Sequence, residues 1–223
     1  MRTSGATRRL PTTVQLRVGE ALDGYLERVA DANYLNTAQL MATITANTDT
    51  TCCLMLAPTP LTLDVLSKLT NTSPQRLRQA TLVAYDGPLL NFTGLDPARP
   101  ASFRTVSARG WFPGRGTQIC PLCLDETGMW ALVWRLPTTT VCRRHGTYLL
   151  STCPNCHRRF RDQHHSHLRS VGAATACGNP LGNGPRAQCQ TDLASLNAPE
   201  ADSGCLARQE RQDHAQTGRP VVT

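Results

Sequence analysis

Three residue pairs share one spacing: Cys120-Pro-Leu-Cys123, Cys142-Arg-Arg-His145 and Cys153-Pro-Asn-Cys156 each hold two thiol or imidazole groups around a two-residue gap. Eighteen residues separate the first pair from the second and seven the second from the third; Cys177 follows after twenty more and Cys189 after another eleven. Two residues between ligands let a tight knuckle aim both side chains at one tetrahedral ion while backbone N–H groups face the sulfurs. A second knuckle from a neighbouring hairpin completes such a site. Cys120, Cys123, Cys142 and His145 fit this scheme, because the eighteen-residue spacer has room for a strand and its return. Four core cysteines and a surface histidine would leave the repeated gap unexplained.

A second centre starts from Cys153 and Cys156, with Cys177 and Cys189 as the best remaining partners, although these two are not a close pair. His157, His164, His165, His167 and Cys205 compete for places in it, and for each histidine a solvated loop position is the simpler expectation. Four protein ligands per ion leave no open coordination position, which marks structural rather than catalytic zinc. Two structural zinc ions are therefore the expected cofactors, and no catalytic residues are expected. No glycine-rich phosphate loop or zinc-protease motif accompanies the pairs.

Metal also answers a shortage. The chain has 223 residues, 40% hydrophobic, with three Trp, four Tyr and four Phe to fill a core. Ion binding supplies folding energy that such modest apolar content does not. Ten cysteines could instead suggest disulfides, but Arg2, Arg8 and Arg9 run into Leu10-Pro11 and polar Thr12-Thr13 instead of an apolar signal segment. A cytoplasmic location with reduced thiols is the expectation. Every hydrophobic stretch is interrupted well short of the roughly 18 apolar residues a spanning helix needs, so no membrane partner is expected.

The formal charge of +7 is unevenly placed. Residues 101–170 hold ten basic and three acidic residues, whereas the segments on either side are nearly balanced. Arg104, Arg109, Arg115, Arg135, Arg143, Arg144, Arg158, Arg159 and Arg161 are expected to form an electrostatic footprint for phosphate, since Arg pairs with phosphate in bidentate fashion. The alternative is that Arg143, Arg144, Arg158 and Arg159 balance thiolate charge.

Residues 1–95 read as a helical region. Leu22, Tyr25, Leu26 and Val29 recur at helical spacing after Gly19-Glu20, and Leu40, Met41 and Ile44 predict a second helix capped by Asn36 or Thr37. Within 61–87, Leu63, Leu66 and Leu69 form one stripe, Asn71-Thr72 a turn, and Ser73-Pro74 an N-cap with a first-turn proline. That is a helix-turn-helix outline with Gln75, Arg76, Arg78 and Gln79 opening its second helix; an ordinary helical hairpin is the competing interpretation. Residues 96–190 form the zinc-binding region, entered by a connection at 96–117. In it Trp130, Leu132, Trp134 and Leu136 alternate with smaller or polar neighbours, the period of a half-buried strand. Residues 191–223 are polar without apolar period and are expected to be a disordered tail. The fold class expected is mainly α with small zinc-ribbon-like β elements.

These residues resemble the TniQ family. The resemblance rests on Leu10-Pro11, Gly19-Glu20-Ala21-Leu22, Tyr25-Leu26-Glu27-Arg28, Leu66 to Leu82, Ile119 to Leu124, Trp134-Arg135-Leu136-Pro137, Cys142 to His145 with Leu149-Leu150, and Cys153 to Cys156, in family order over roughly 8–190. It implies a non-catalytic accessory protein of bacterial transposons that selects the target site. Such a protein contacts DNA or a target-recognition complex and engages a AAA+ ATPase regulator, which recruits the transposase. A homodimer is among the expected assemblies. The resemblance carries paired zinc-binding motifs onto Cys120, Cys123, Cys142 and His145 and onto Cys153, Cys156, Cys177 and Cys189, and it favours the helix-turn-helix at 61–87. Arg76, Arg78, Arg143, Arg144, Arg158 and Arg159 are the expected nucleic-acid or partner contacts. Two departures stand out: relatives continue into further helices where this chain turns polar, and the stretch Gly178-Asn179-Pro180-Leu181 to Gly182-Asn183-Gly184-Pro185 looks loose enough to weaken the second centre. The runner-up function is a sequence-specific transcriptional regulator. A RING-like ubiquitin ligase is disfavoured, because the seven-residue gap after His145 and the eleven-residue gap before Cys189 do not match its ligand order.

Overall fold

A computed structural model describes residues 8–87, 89–109, 116–162, 167–170, 174–182 and 187–217. Helices α1 (Leu22–Ala32), α2 (Thr37–Asn47), α3 (Pro60–Thr70) and α4 (Pro74–Gln79) lead, followed by α5 (Pro100–Ser107) and α6 (Pro121–Thr127). A two-stranded antiparallel sheet then pairs β1 (Val141–Cys142) with β2 (Thr147–Tyr148), and α7 (Ser203–Thr217) closes the described chain. The fold is mainly helical with a small sheet and two Cys/His clusters. Among the described residues no helix is long and apolar enough to cross a membrane.

Local sequence explains several helix ends. The Asn36 side chain accepts from the Gln39 amide at 2.8 Å while the Gln39 side chain accepts from the Asn36 amide at 2.9 Å, a reciprocal cap for α2. Thr59 caps α3 ahead of Pro60, and Asn71 ends it in the left-handed conformation at φ 56°. Ser73 then caps α4 ahead of Pro74. The expected pair of helices with a tight turn is present, although α4 is only six residues long and passes into a 3₁₀ turn at Leu82–Tyr85. The Tyr25 hydroxyl shares a 2.8 Å hydrogen bond with Thr72, so α1 braces that turn from inside.

The stretch before α1 holds the two halves of the chain together. The Ala21 amide donates to the Trp130 carbonyl and the Leu132 amide to the Gly19 carbonyl, each at 2.8 Å, while the Leu22 amide donates to the Ala80 carbonyl at 2.8 Å. Gly19 adopts φ 75°, a conformation costly for a residue with a Cβ. Residues 19–22 thus bond the end of α4 on one side and the tryptophan segment on the other. Two buried apolar clusters flank this seam. The first joins Leu22, Tyr25, Leu26, Leu66, Leu69 and Leu77 with Leu132, Leu136 and Leu168; the second gathers Ile119, Leu124, Trp130, Trp134 and Phe160 around buried cysteines.

Three expectations differ from what is observed. Residues 130–136 are not a strand: Leu132–Arg135 forms a 3₁₀ turn. The alternation is real, since Trp130, Leu132, Trp134 and Leu136 are all buried, but the tryptophans enter the second cluster and the leucines the first. Alternation here sorts residues between two cores instead of between core and solvent. The connection at 96–117 contains α5, and its residues 110–115 lie outside the described residues. In the tail expected to be disordered over 191–223, residues 218–223 lie outside the described residues and Ser203–Thr217 instead forms α7. Polar contacts hold it: the Gln209 side chain, 2% exposed, accepts from the Thr140 amide at 3.0 Å, and the Ala201 amide donates to the Gly146 carbonyl at 2.7 Å.

Candidate metal centres

The knuckles repeat one backbone device. The residue after each pair donates its amide to the carbonyl of the pair's first member: Leu124 to Cys120 at 3.0 Å, Gly146 to Cys142 at 2.8 Å and His157 to Cys153 at 2.9 Å. Gly146 and His157 do so at φ 63° and 56°. This places His157 as an exposed knuckle-ending residue, outside both ligand sets.

Cys120 stands at the start of α6, Cys123 within it, Cys142 in β1 and His145 in the hairpin turn. Their ligand atoms all lie within 4.8 Å of one another. His145 Nδ1 is 3.3, 3.2 and 3.5 Å from the sulfurs of Cys120, Cys123 and Cys142, and Cys123 and Cys142 are 3.5 Å apart. A tetrahedral ion with ordinary Zn–S and Zn–N bond lengths separates its ligand atoms by about 3.5–3.8 Å, so the donor set fits. The sulfurs compete for protons: a hydrogen bond from Cys123 holds the Cys120 thiol far below its ordinary range, and that same bond pushes Cys123 far above it. A divalent cation bound there would displace those protons. Glu126, which composition and spacing did not single out, accepts from His145 Nε2 at 3.1 Å and fixes the ring with Nδ1 toward the sulfurs. It also binds Arg144 at 2.8 Å.

Cys153, Cys156, Cys177 and Cys189 form the second group, again with all ligand atoms within 4.8 Å. Cys153 to Cys189 and Cys156 to Cys177 are each 3.8 Å. The eleven-residue gap before Cys189 closes because the chain doubles back: the Cys177 amide donates to the Thr191 carbonyl at 2.9 Å and the Cys189 amide to the Asn179 carbonyl at 2.8 Å. Of the stretch from Gly178 to Pro185, the amides of Gly178 and Leu181 donate to the Cys189 and Ala187 carbonyls at 2.9 and 2.7 Å, and residues 183–185 lie outside the described residues. Asn179, fully buried, donates to Cys156 Sγ at 3.5 Å and to the Arg159 carbonyl at 2.9 Å, and Asn155 donates to Cys189 Sγ at 3.6 Å. His164 and His165 lie outside the described residues, and His167 and Cys205 are in neither ligand group.

The arginines divide into two populations. Arg135 and Arg161 are not surface groups: their side chains are 8% and 3% exposed, and both bind Asp23. Asp23 and Glu27 project from α1 into a buried cluster with Arg135, Arg161 and Arg169. Arg161 reaches Glu27 through two nitrogens at 2.9 and 2.8 Å, and Arg169 adds contacts from its backbone amide and its Nη2, each at 2.7 Å. The guanidinium carbons of Arg161 and Arg169 lie 4.0 and 4.5 Å from the centre of the Trp130 ring. Burial opposes charge on both carboxyls, but Arg135 and Arg161 at Asp23, and Arg161 and Arg169 at Glu27, outweigh it and hold both below the ordinary range. Sequence reasoning missed this cluster. Its only signal was a pair of acids one helical turn apart beside the apolar stripe of α1.

The remaining arginines lie nearer solvent. Arg76 donates to the Leu16 carbonyl, Arg109 to the Thr93 carbonyl, and Arg143 binds Glu210 at 2.8 Å and Asp213 at 3.4 Å. Arg78, Arg104, Arg158 and Arg159 are exposed, and Arg115 lies outside the described residues.

Two groups of four Cys and His side chains that could each hold a metal ion thus stand beside a helical unit. A comparison with curated proteins returns no match. The sequence matches the TniQ family over residues 11–149, which spans α1 through the first centre and its hairpin. That match covers more than half of the chain, and the protein belongs to the TniQ family.

Proposed function

We propose that this protein is a non-catalytic adaptor of DNA transposition, which binds target DNA or a target-recognition complex and engages a AAA+ ATPase regulator to direct a transposase. The family match over 11–149 carries this reading. Two zinc ions, held by Cys120, Cys123, Cys142 and His145 and by Cys153, Cys156, Cys177 and Cys189, serve as structural braces. Each group already offers four ligands, so neither leaves a position for water or substrate.

Exposed Arg78, Arg158 and Arg159 are the groups best placed to meet phosphate directly, with Arg76, Arg143 and Arg144 available once they exchange their present contacts. Exposed ion pairs such as Arg144–Glu126 cost little to exchange. The protein acts in the cytoplasm as a partner of DNA and of the ATPase, alone or as a homodimer.

Footprinting of the zinc-loaded protein with and without the ATPase tests the proposal. An adaptor leaves weak, salt-sensitive and undefined protection alone and gives defined protection with the ATPase. A defined footprint from the isolated protein would replace this reading with that of a transcriptional regulator. Affinity unchanged between low and moderate salt would remove the phosphate contacts.

A further inference from the structure

The twenty residues between Cys156 and Cys177 form the longest interval within either ligand group, and α1 bonds two of its described parts. We propose that Glu27, although it touches no metal ligand, is a positioning residue for the second metal centre, acting through Arg161 and Arg169. The proposal rests on the reading of Cys153, Cys156, Cys177 and Cys189 as a zinc site.

Glu27 grips this interval at two points. Arg161, five residues beyond Cys156, holds φ 55° while its guanidinium spans Asp23 at 2.8 Å and Glu27 at 2.9 and 2.8 Å. A left-handed backbone at a long side chain persists where its surroundings hold it. Arg169, eight residues before Cys177, gives Glu27 both its guanidinium and its backbone amide. The same guanidinium donates from Nη2 to the Ala174 carbonyl and from Nη1 to the Ala176 carbonyl, the latter belonging to the peptide that carries the Cys177 amide. Trp130 Nε1 also donates to Ala174, at 2.9 Å, and its ring stacks on both arginines. One carboxylate thus fixes the chain leaving Cys156 and the chain approaching Cys177.

Pinning a long loop at interior points removes part of the entropy that metal binding would otherwise have to overcome. The first centre's ligands sit on α6 and a hairpin, and the bonds of Glu27 run to Arg161 and Arg169 and not into the interval between Cys123 and Cys142. Coupling of this kind is reciprocal: an ion in the second centre must also steady α1.

The test uses the full chain and resolves the two centres by their chemistry. Cobalt gives distinct absorption in four-sulfur and three-sulfur-one-nitrogen sites, and competition with a chelator gives each affinity. Glu27→Gln is expected to weaken the four-sulfur centre about 10- to 100-fold, the range typical when support behind a ligand is lost, and to leave the other within about twofold. Arg161→Gly provides a second route, since it keeps the left-handed backbone and deletes the guanidinium; it should shift the same centre in the same direction. Leu26→Ala, which opens a cavity in α1 without touching the arginines, should lower the melting temperature with no selective loss of the four-sulfur signal. Amide exchange in α1 should rise when the second ion is withdrawn. Unchanged four-sulfur affinity in both Glu27→Gln and Arg161→Gly, or an equal shift at both centres, would overturn the positioning role while leaving the zinc reading intact. A wild-type chain with no four-sulfur signal would overturn the zinc reading, and the positioning role with it.

Discussion

The two metal centres solve one geometric problem over different reaches of chain. The first draws its ligands from α6 and the adjoining β1–β2 hairpin, and its one orienting carboxylate, Glu126, lies on the same helix. The second depends on two segments that double back at Cys177 and Cys189 and on the Glu27 carboxylate of α1, 134 and 142 residues away from the arginines it holds. A local site is written in its spacing. A site buttressed from afar is written only half in its own segment.

Asp23→Ala probes the distant support most severely. It leaves Arg135 and Arg161 buried beside a missing charge, a change that typically costs about 3–5 kcal/mol, readable as a shifted denaturant midpoint. Because both carboxyls are held below their ordinary range, the cluster's contribution is present above about pH 4.5 and is lost as pH falls through the depressed values. A cost under 1 kcal/mol would mean that the cluster does not join the two halves.

Gly24→Ala sharpens the same contrast sterically. A Cβ there would stand 3.1 Å from Trp130 Cβ, and Trp130 is held against two arginines and cannot retreat. Overpacking should exceed the roughly 1 kcal/mol of helix propensity gained, for a net loss of about 1–2 kcal/mol. A stabilised variant would show that the ring has room to move.

At the first centre, Glu126→Gln should weaken metal binding by about tenfold, the low end of such effects because Glu126 is 40% exposed, and should spare the second centre. Equal weakening of both would erase the distinction between them. The smallest effect is expected from Glu210→Gln, which removes an exposed partner of Arg143 and should change stability by less than about 1 kcal/mol in thermal unfolding.

How much was legible follows the same division. Asn36, and Ser73 with Pro74 after it, announced helix starts, because capping is a matter of three or four residues, while Thr59-Pro60 carried the same signal and was not singled out. The three two-residue knuckles were legible for a similar reason. The arginine cluster was not, since Arg135 and Arg161 look like any other basic surface residues until α1 is folded against them. The tryptophan segment misled because period-two burial arises equally between two cores. Helix α7 escaped notice because Gln209, Arg143 and backbone bonds hold it where an apolar stripe would ordinarily be sought.

Metal content tests the central claim most directly. Elemental analysis of the purified full chain should give two zinc ions per molecule, falling to one in Cys120→Ser and to one in Cys177→Ser, with the four-sulfur cobalt signature lost only in the latter. A wild-type chain with fewer than two ions, or either variant retaining both, would contradict the account.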